Sequence, residues 1–471
     1  MAFPLFVVAL GNFYGTSFAA PPNLPQPSFK PIREALFEIE PTQTFTSPPY
    51  APDQVGLANV SGRDTLLYYS VPSLQGTILL EGFSYEVVGV ERPLSEEMEA
   101  ESFTEFLLSR GVSGRLRSFE PAQTIAVTRP AKALFAILLE RAKSSLSLGS
   151  SLTEPATRVY KAIVLGQRTA LDTQQKQVFR DTGTAHLFAI SGLHIGLIGM
   201  LLFWLFGKAP IGQPVRVSCT LSILLFYVLL TGSTPSAVRA FLMIAFLVSA
   251  KAFARGYRPS SALMASAFVV LLFDPRQLFT LGFQLSYLVV FSILVFGIPL
   301  ASRLMEQTDP EYWLPGDSGS PFHRSRKWLL GSFAISLSAF LGSSPLVMSN
   351  FGVLPLASIP LNIILIPLAT AVLFTGFIAL LFGLLGLDWI ATLLNEVALP
   401  ITELMTAIVA FTAKSPLAAL PISWNNDWAG TAGVLMIVLS ALWVSFQKEF
   451  RYRYLLFPFL SLLLSLGIGY L

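Results

Sequence analysis

The chain has 471 residues, of which 53% are hydrophobic and only 13% are charged, and its mean hydropathy is +0.63. This composition excludes an ordinary soluble globular protein and indicates a membrane protein. The charge is uneven, because residues 22–157 hold 11 basic and 16 acidic side chains while residues 158–471 hold 20 and 12, so an acidic soluble region precedes a basic membrane region.

The first 157 residues divide into a short segment and a soluble domain. Residues 1–21 hold one apolar run, Phe3 to Leu10, which is shorter than the roughly 20 residues that a spanning helix needs. The segment is either signal-like or part of a truncated membrane helix. Residues 22–157 contain strand-like runs at 35–40, 65–71 and 76–90 and helical runs at 95–109 and 131–146. These elements predict a small α+β domain with a barrel or a sandwich.

Apolar runs that could cross a membrane occur about ten times after residue 157. They lie near 187–206, 215–231, 237–250, 260–273, 279–300, 328–349, 353–367, 368–386, 428–446 and 453–470. The stretch 388–411 is also apolar but carries Asn395, Glu396, Pro400 and Glu403, so it is either an interfacial helix or a broken span. The predicted fold class is a polytopic α-helical membrane protein with an N-terminal soluble domain.

Basic residues concentrate in the connections that follow the odd-numbered runs. These connections hold Lys208, Arg216, Lys251, Arg255, Arg258, Arg303, Arg324, Arg326 and Lys327, whereas the connections after the second, fourth and sixth runs hold only Arg276. Positively charged connections stay in the cytoplasm. The N-terminal soluble domain is therefore predicted to lie outside the cytoplasm.

Residues 182–196, with the sequence TGTAHLFAISGLHIG, bring polar side chains to the start of the first apolar run. Ionisable groups in hydrocarbon are costly unless they are paired or line a wet path. If the segment is one helix, His186, Ser191 and His194 lie toward one face. The opposite face is then formed by Gly192, Gly196 and Gly199. Such small residues predict close packing of a neighbouring helix.

A break in the apolar pattern, TGSTPS at residues 231–236, lies between the second and third runs and is followed by Arg239. Free N–H groups at the start of the third helix attract anions, and an arginine suits a phosphate oxygen. The alternative is that Arg239 is tied to backbone carbonyls. The further polar candidates for a transport path, or for contacts between helices, are Thr234, Ser236, Gln284, Ser286 and Asn362.

Other chemistry is disfavoured by the same residues. Ala189-Ile190-Ser191-Gly192 resembles the Gly-x-Ser-Gly of rhomboid-type proteases, but the first glycine is missing and the candidate bases are poorly placed, His194 on the same helix and His323 in a predicted cytoplasmic loop. His186 and His194 would lie about 12 Å apart along a helix, too far to share a metal ion. The sequence has no phosphate-loop motif. We therefore expect no catalytic residue, metal or cofactor.

Several blocks in the membrane region occur in an order that is similar to the ComEC family, the competence DNA-channel proteins of bacterial inner membranes. The first are Leu165-Gly166-Gln167-Arg168, with Gln167 where the family usually has an acid, and the HLFAISGLH run of residues 186–194. The others are residues 230–240, 274–275, 282–287, 344–346 and 360–362. The resemblance implies that residues 158–471 form a competence-type channel domain in the inner membrane.

The resemblance also implies an OB-like barrel within residues 22–157, where Arg110-Gly111-Val112 matches a family turn. OB folds bind single strands on aromatic and basic side chains. The candidate DNA-binding residues are Tyr68, Tyr69, Arg110, Arg115 and Arg117. The alternative is that the aromatic rings belong to the core, because the domain is acidic and strand aromatics usually pack internally.

ComEC-like proteins commonly continue into a metallo-β-lactamase-like domain with a His-x-His-x-Asp-His motif, which this sequence lacks. We therefore expect a form without that domain and a separate nuclease. The resemblance implies an inner-membrane channel that passes single-stranded DNA from the periplasm to the cytoplasm in natural transformation. Its expected partners are a periplasmic DNA receptor, the lipid bilayer, and a cytoplasmic ATPase or DNA-binding protein. The alternative is a transporter or exporter of a smaller anionic or lipid-like solute.

Overall fold

A computed structural model describes most of the chain, and its contacts separate two compact units. The barrel unit comprises Ala20–Asp172 and Ile378–Glu396, and the membrane unit comprises Thr173–Phe377 and Val397–Leu471. The expectation for residues 1–21 lies outside the described residues. The structure describes residues 35–45, 53–60, 66–72, 79–93, 107, 112–118, 120–149, 155–168, 171–188, 190–252, 258–308, 321–416, 418–422, 428–445, 447 and 450–470.

Five strands of the barrel unit close into a barrel. The unit has six strands among the described residues, of which the first five form the barrel. They are β1 Ala35–Phe45, β2 Asp53–Val60, β3 Leu66–Pro72, β4 Phe83–Pro93, β5 Val112–Ser118 and β6 Gln123–Val127. Their order is β1-β2-β3-β5-β4, a β1–β4 pairing closes the ring, and β6 extends β4. Only β3 and β5 run parallel, and a bulge between Pro41 and Gln43 bends the long β1 so that it pairs with both β2 and β4. This topology confirms the OB-like barrel.

Sequence patterning located some of these strands and missed others. β1, β3 and the helix at 131–146 were predicted, whereas β4 begins at Phe83 rather than at residue 76. β2, β5 and β6 were missed, because the polar and glycine-containing sequences of β2 and β5 and the fully exposed β6 hide the alternation of a half-buried strand. Of the predicted helix 95–109, only Leu107 lies in the described residues.

The barrel core forms from inward-facing side chains of the five strands that close the barrel. Ile39, Leu67, Tyr69, Val87 and Leu116 are among its fully buried members. β3 is buried on both faces, because a second cluster of Leu57, Tyr68, Leu107 and Val112 packs against its other side.

The described residues form fourteen α-helices. They are α1 Pro130–Ser145, α2 Pro155–Leu165, α3 Thr173–Asp181, α4 Gly192–Phe206, α5 Gln213–Leu230, α6 Pro235–Ala252, α7 Pro259–Phe273, α8 Leu281–Ser292, α9 Ile298–Thr308, α10 Pro321–Phe351, α11 Ser358–Leu384, α12 Asp388–Ala413, α13 Trp428–Ser445 and α14 Leu456–Tyr470. A π-helical turn, Ile293–Gly297, joins α8 to α9. Pro299 offers no N–H to the Val295 carbonyl, which accounts for this irregular turn.

Six of the described helical segments are long and apolar enough to cross a membrane. They are Gln213–Leu230, Leu281–Met305, Arg324–Phe351, Ser358–Leu384, Asp388–Ala413 and Tyr452–Gly469, and four shorter apolar helices accompany them. A polytopic helical membrane protein is thus confirmed.

One expectation about the later spans was wrong, and one of two alternatives, the broken span after residue 388, is excluded. The runs 353–367 and 368–386 form one helix, α11, which continues through Pro367, while Val353–Leu354 pairs with Leu420–Pro421 as a short β-ladder. The stretch from residue 388 is also one unbroken helix, α12, which continues through Pro400. Prolines are tolerated inside membrane helices, because neighbouring groups re-satisfy the freed carbonyl, so they do not mark boundaries here.

Asn395 has a structural role within the barrel unit. Its side chain is fully buried, its Oδ1 accepts the Tyr160 hydroxyl at 3.0 Å, and its Nδ2 donates to the carbonyls of Ser145 and Leu148 at 2.8 and 3.1 Å. The Ser145 carbonyl lies in the last turn of α1, where carbonyls lack partners within the helix, and the Leu148 carbonyl lies in the turn that follows. Burial raises the pKa of Tyr160, so its hydroxyl stays protonated and donates. Asn395 thus satisfies polar groups that burial would otherwise penalise.

The closest helix approaches in the membrane unit are not at the glycines of α4. A Cβ added to Gly196 would meet no atom within 4 Å, and one at Gly199 would make ordinary contacts at 3.4 Å with Leu224 and Ile244. The expectation of a tightly packed face including Gly196 is therefore wrong. The tight contact is on α13, where a Cβ at Gly433 would overlap Ser465 and lie 2.8 Å from the ring of Pro345.

We therefore expect Gly433→Ala to destabilise the protein by about 1–3 kcal/mol, because the prolyl ring cannot move aside as a flexible side chain would. The matched variant Gly196→Ala should retain wild-type stability. Thermal unfolding of the detergent-solubilised chain, followed by size-exclusion chromatography, measures both. Equal stability of the two variants would contradict the tight contact at Gly433.

Candidate functional site

Two membrane helices begin at the same place in the membrane unit. α4 starts at Gly192 after the N-cap residue Ser191, and α6 starts at Pro235. The Ser236 hydroxyl donates to the Ile190 carbonyl at 2.8 Å and joins the two starts. We call residues 190–194 and 231–239 the junction. Because helix N-termini carry free N–H groups and a positive dipole end, the junction is electropositive even apart from the charge of Arg239.

His186 does not belong to α4. It lies in a short 3₁₀ helix, Ala185–Phe188, where its side chain is exposed and its Nδ1 is 3.1 Å from the Gly183 carbonyl. Ser191 has an extended backbone, with φ −99° and ψ 170°, which interrupts the helix. The expected single helix is therefore wrong, as is the polar face shared by His186, Ser191 and His194, because a capping serine takes a non-helical conformation.

Ser191 and His194 form the N-terminal cap of α4. The Ser191 N–H donates to His194 Nδ1 at 3.2 Å, and Ser191 Oγ lies 3.0 Å from the same nitrogen. This is a capping box in which histidine takes the place of the usual Glu or Gln. His194 is only 2% exposed. The nitrogen that would take a proton from Ser191 in a hydrolase is thus already engaged by the helix cap.

The break between α5 and α6 is confirmed and is a strained turn. Gly232 has φ 82° and Ser233 has φ 50°, the only positive φ of a non-glycine residue in the described chain. Left-handed backbone is costly for a side chain with a Cβ. The Ser233 N–H closes the end of α5 on the Val228 carbonyl at 2.9 Å, and Thr234 Oγ1 lies 3.4 Å from Ser236 Oγ. The turn therefore exposes the start of α6 instead of continuing the helix.

Arg239 links the junction to a third helix start. Its side chain is 3% exposed, and its Nη2 donates to the Gly282 carbonyl, in the first turn of α8, at 2.9 Å. The α8 cap is Thr280, whose hydroxyl accepts the Phe283 N–H at 3.3 Å. The Arg239 Nε is buried and has no hydrogen-bond partner among the described residues. Arg239 is therefore a tether to a backbone carbonyl and also retains one unused N–H donor.

The other path candidates are less closely grouped. Gln284 Nε2 donates to the Leu278 carbonyl at 3.2 Å, and Ser286 is half-buried on the same helix. Asn362 lies on α11 with a buried Oδ1 that has no partner in the described part of the chain.

The structure thus brings together Ser191, His194, Thr234, Ser236 and Arg239. Sequence reasoning missed the carbonyls of Ile190 and Gly282, because nothing in a sequence shows which carbonyl a distant side chain reaches.

Both tyrosine candidates in the barrel lie below its surface. Tyr69 is 0% exposed in the core, and Tyr68 belongs to the second cluster with Leu57 and Val112. Burial raises the pKa of both hydroxyls. The expectation that these rings offer stacking surfaces for bases is corrected, because β3 is covered on both faces.

The basic candidates on β5 remain near the barrel surface. The Arg115 guanidinium lies 6.0 Å from the centre of the Tyr68 ring, and Arg117 is exposed. Arg110 lies outside the described residues. Among the residues that the structure describes, no group of three or more His, Cys, Asp or Glu side chains could hold a metal ion.

Comparison with known proteins gives matches in the membrane region. A family model described as "Competence protein" matches residues 163–447. The chain is similar to ComE operon protein 3 of Bacillus subtilis (strain 168), with 31% identity over 57% of the length of this chain. It is also similar to Recombination protein 2 of Haemophilus influenzae, with 26% identity over 44% of the length of this chain. It is 33% identical to Competence protein ComA of Neisseria gonorrhoeae over 27% of its length.

The matched stretches cover 33%, 26% and 19% of the lengths of these three relatives. The chain therefore spans about a third or less of each. No solved structure matches the chain.

The capping role of His194 predicts a difference between two substitutions. His194→Ala should destabilise the protein by about 1–2 kcal/mol, because the Ser191 N–H loses its acceptor. His194→Gln should restore most of this loss, since glutamine is a usual residue at this capping position. Thermal unfolding of the purified variants measures both. If glutamine is as harmful as alanine, the imidazole has a role other than capping.

Proposed function

Because the chain belongs to the competence protein family, we propose that it is an inner-membrane channel that passes single-stranded DNA from the periplasm to the cytoplasm in natural transformation. The resemblance of its ordered blocks to ComEC-type proteins is confirmed, since the family model covers more than half of the chain. A relative named for competence, Competence protein ComA, and the description of the family model support the assignment of DNA uptake.

The observation that carries the proposal is the meeting of three helix N-termini around one buried arginine. The starts of α4 and α6 are joined by Ser236, and Arg239 reaches the start of α8. Helix N-termini bind phosphate through their N–H groups, and a guanidinium donates to phosphate oxygens. None of these donors reads a base, so the arrangement suits a polymer of phosphodiesters of any sequence.

The proposed orientation follows from the two ends of α4. The junction lies at its start, whereas its end lies beside the start of α5, where Arg216 Nε donates to the Phe203 carbonyl at 2.7 Å. Lys208 and Arg216 make this second end basic, so it belongs in the cytoplasm. The junction then faces the periplasm. A periplasmic DNA receptor, a separate nuclease, and a cytoplasmic ATPase or DNA-binding protein would complete the pathway.

The alternative function is transport of a smaller anionic solute. The 3% exposure of Arg239 favours it, because a nearly enclosed guanidinium suits a small anion as well as a phosphodiester. The two functions differ in whether labelled DNA reaches the cytoplasm.

Substitution of Arg239 should separate these roles. We expect Arg239→Gln to lower entry of labelled DNA roughly tenfold to a hundredfold, because a charged donor to phosphate is lost. Arg239→Lys should have an intermediate effect, since the charge remains but the planar fork does not. DNA uptake and membrane protein level are measured in cells whose transformation depends on this chain.

Arg216→Gln is the matched control, because Arg216 also donates to a backbone carbonyl but lies at the other end of α4. It should leave DNA entry near the wild-type level. Loss of the Arg239→Gln protein from the membrane would assign this residue a purely structural role. Normal protein level with unchanged DNA entry would contradict the proposed path, and transport of a small anion without DNA would favour the alternative.

The orientation can be tested with single cysteines in a Cys219→Ser background. Gln123→Cys on the exposed strand β6 should react with a membrane-impermeant thiol reagent in intact spheroplasts. Lys208→Cys, at the basic end of α4, should react only after the membrane is permeabilised. The reverse pattern would contradict a periplasmic barrel.

A further inference from the structure

A large apolar cleft lies within the membrane unit between α7, the α8–α9 segment and α13. Its volume is about 950 Å³, at the upper end of the roughly 300–1,000 Å³ that is typical of ligand sites. Nineteen of its 24 lining residues are apolar. α7 packs mainly on α6 and α8 mainly on α10, and the cleft lies between these two helix pairs.

The cleft is long enough to hold one lipid chain. Its wall follows α8 and α9 from Phe283 to Pro299, a rise of about 24 Å at 1.5 Å per residue. The hydrocarbon of one leaflet is about 15 Å deep, half of the bilayer core. Phe268, in the α7 wall, is 53% exposed, so the cleft is open at its side.

The lining does not suit nucleic acid. The polar side chains inside the cleft include Gln284 and Tyr287. Gln284 donates to the Leu278 carbonyl at 3.2 Å, and the Tyr287 hydroxyl donates to the Ser266 hydroxyl at 3.3 Å. A strand of phosphodiesters needs cations along its path, and no lining residue is charged. The cleft is therefore distinct from the junction in the chemistry that it offers.

The mouth of the cleft carries positive charge. Pro259 and Phe450 line it, and they are the chain neighbours of Arg258 and Arg451, whose side chains are exposed. α7 begins and α13 ends at this mouth, opposite the end that holds Phe283. Neither arginine forms an ion pair in the part of the chain that the structure describes. An apolar cleft with two exposed cations at its entrance is complementary to a lipid with an anionic headgroup.

We propose that this cleft binds an anionic phospholipid. An acyl chain lies between α7, α8 and α13, and the phosphate lies at Arg258 and Arg451. The bound lipid fills the cleft between the two helix pairs, and replaces side-chain packing that the protein itself does not supply.

The test uses the full chain in detergent micelles that contain phosphatidylglycerol with a photoactivatable group on one acyl chain. Crosslinked residues, mapped by mass spectrometry, should lie on the facing sides of α7, α8 and α13. Ala267→Trp fills the cleft and should abolish this labelling. Leu272→Trp, at an exposed position of the same helix that does not line the cleft, should retain it. If the Ala267→Trp protein does not fold, Ala267→Leu should lower the labelling.

The headgroup is tested separately. Arg258→Gln and Arg451→Gln should each weaken labelling by phosphatidylglycerol about fivefold, the contribution of one surface cation to an anionic lipid. Phosphatidylcholine with the same chain should label the wild type more weakly, and excess soluble glycerol phosphate should not compete. The proposal is overturned if both lipids label the protein equally and Ala267→Trp does not change that labelling. The signal would then come from ordinary boundary lipid. Absence of labelling in the cleft would also overturn it, and neither result bears on DNA uptake.

Discussion

The hydrogen bond from Arg239 to the Gly282 carbonyl is the interaction on which the arrangement of the membrane unit depends. A guanidinium that is removed from water must find an acceptor inside the protein. At 2.9 Å from Gly282, it ties α6 to the first turn of α8. The starts of α4, α6 and α8 are therefore held together, and α7 packs mainly on α6.

The same requirement explains the other buried polar residues. Asn395 pairs with Tyr160 and with carbonyls at the end of α1, and Ser236 donates to Ile190. Each bond joins segments far apart in the chain. In hydrocarbon an unpaired polar group costs several kcal/mol, so these few side chains select one helix arrangement more strongly than the many interchangeable apolar contacts do.

The membrane unit thus separates two chemistries. The junction offers N–H groups and one arginine, which suit phosphate, whereas the cleft between α7 and α13 offers apolar walls and cations only at its mouth. Such a division is consistent with a protein that handles a charged substrate while it remains solvated by lipid. A path for DNA through the apolar cleft would need cations that its walls do not hold.

The sequence alone determined the class of protein, most membrane spans and the break at residues 231–236, which follow from composition and periodicity. Its short motifs carried the resemblance to the family, and that resemblance implied the OB-like barrel. The tertiary structure decided what each polar residue does. Ser191 interrupts a helix that periodicity predicted as continuous, and Tyr69 is internal because β3 is covered on both faces. Pro367 lies within a helix where a boundary was expected. Partners such as Ile190 for Ser236 and Gly282 for Arg239 lie 46 and 43 residues away, and only folding selects them.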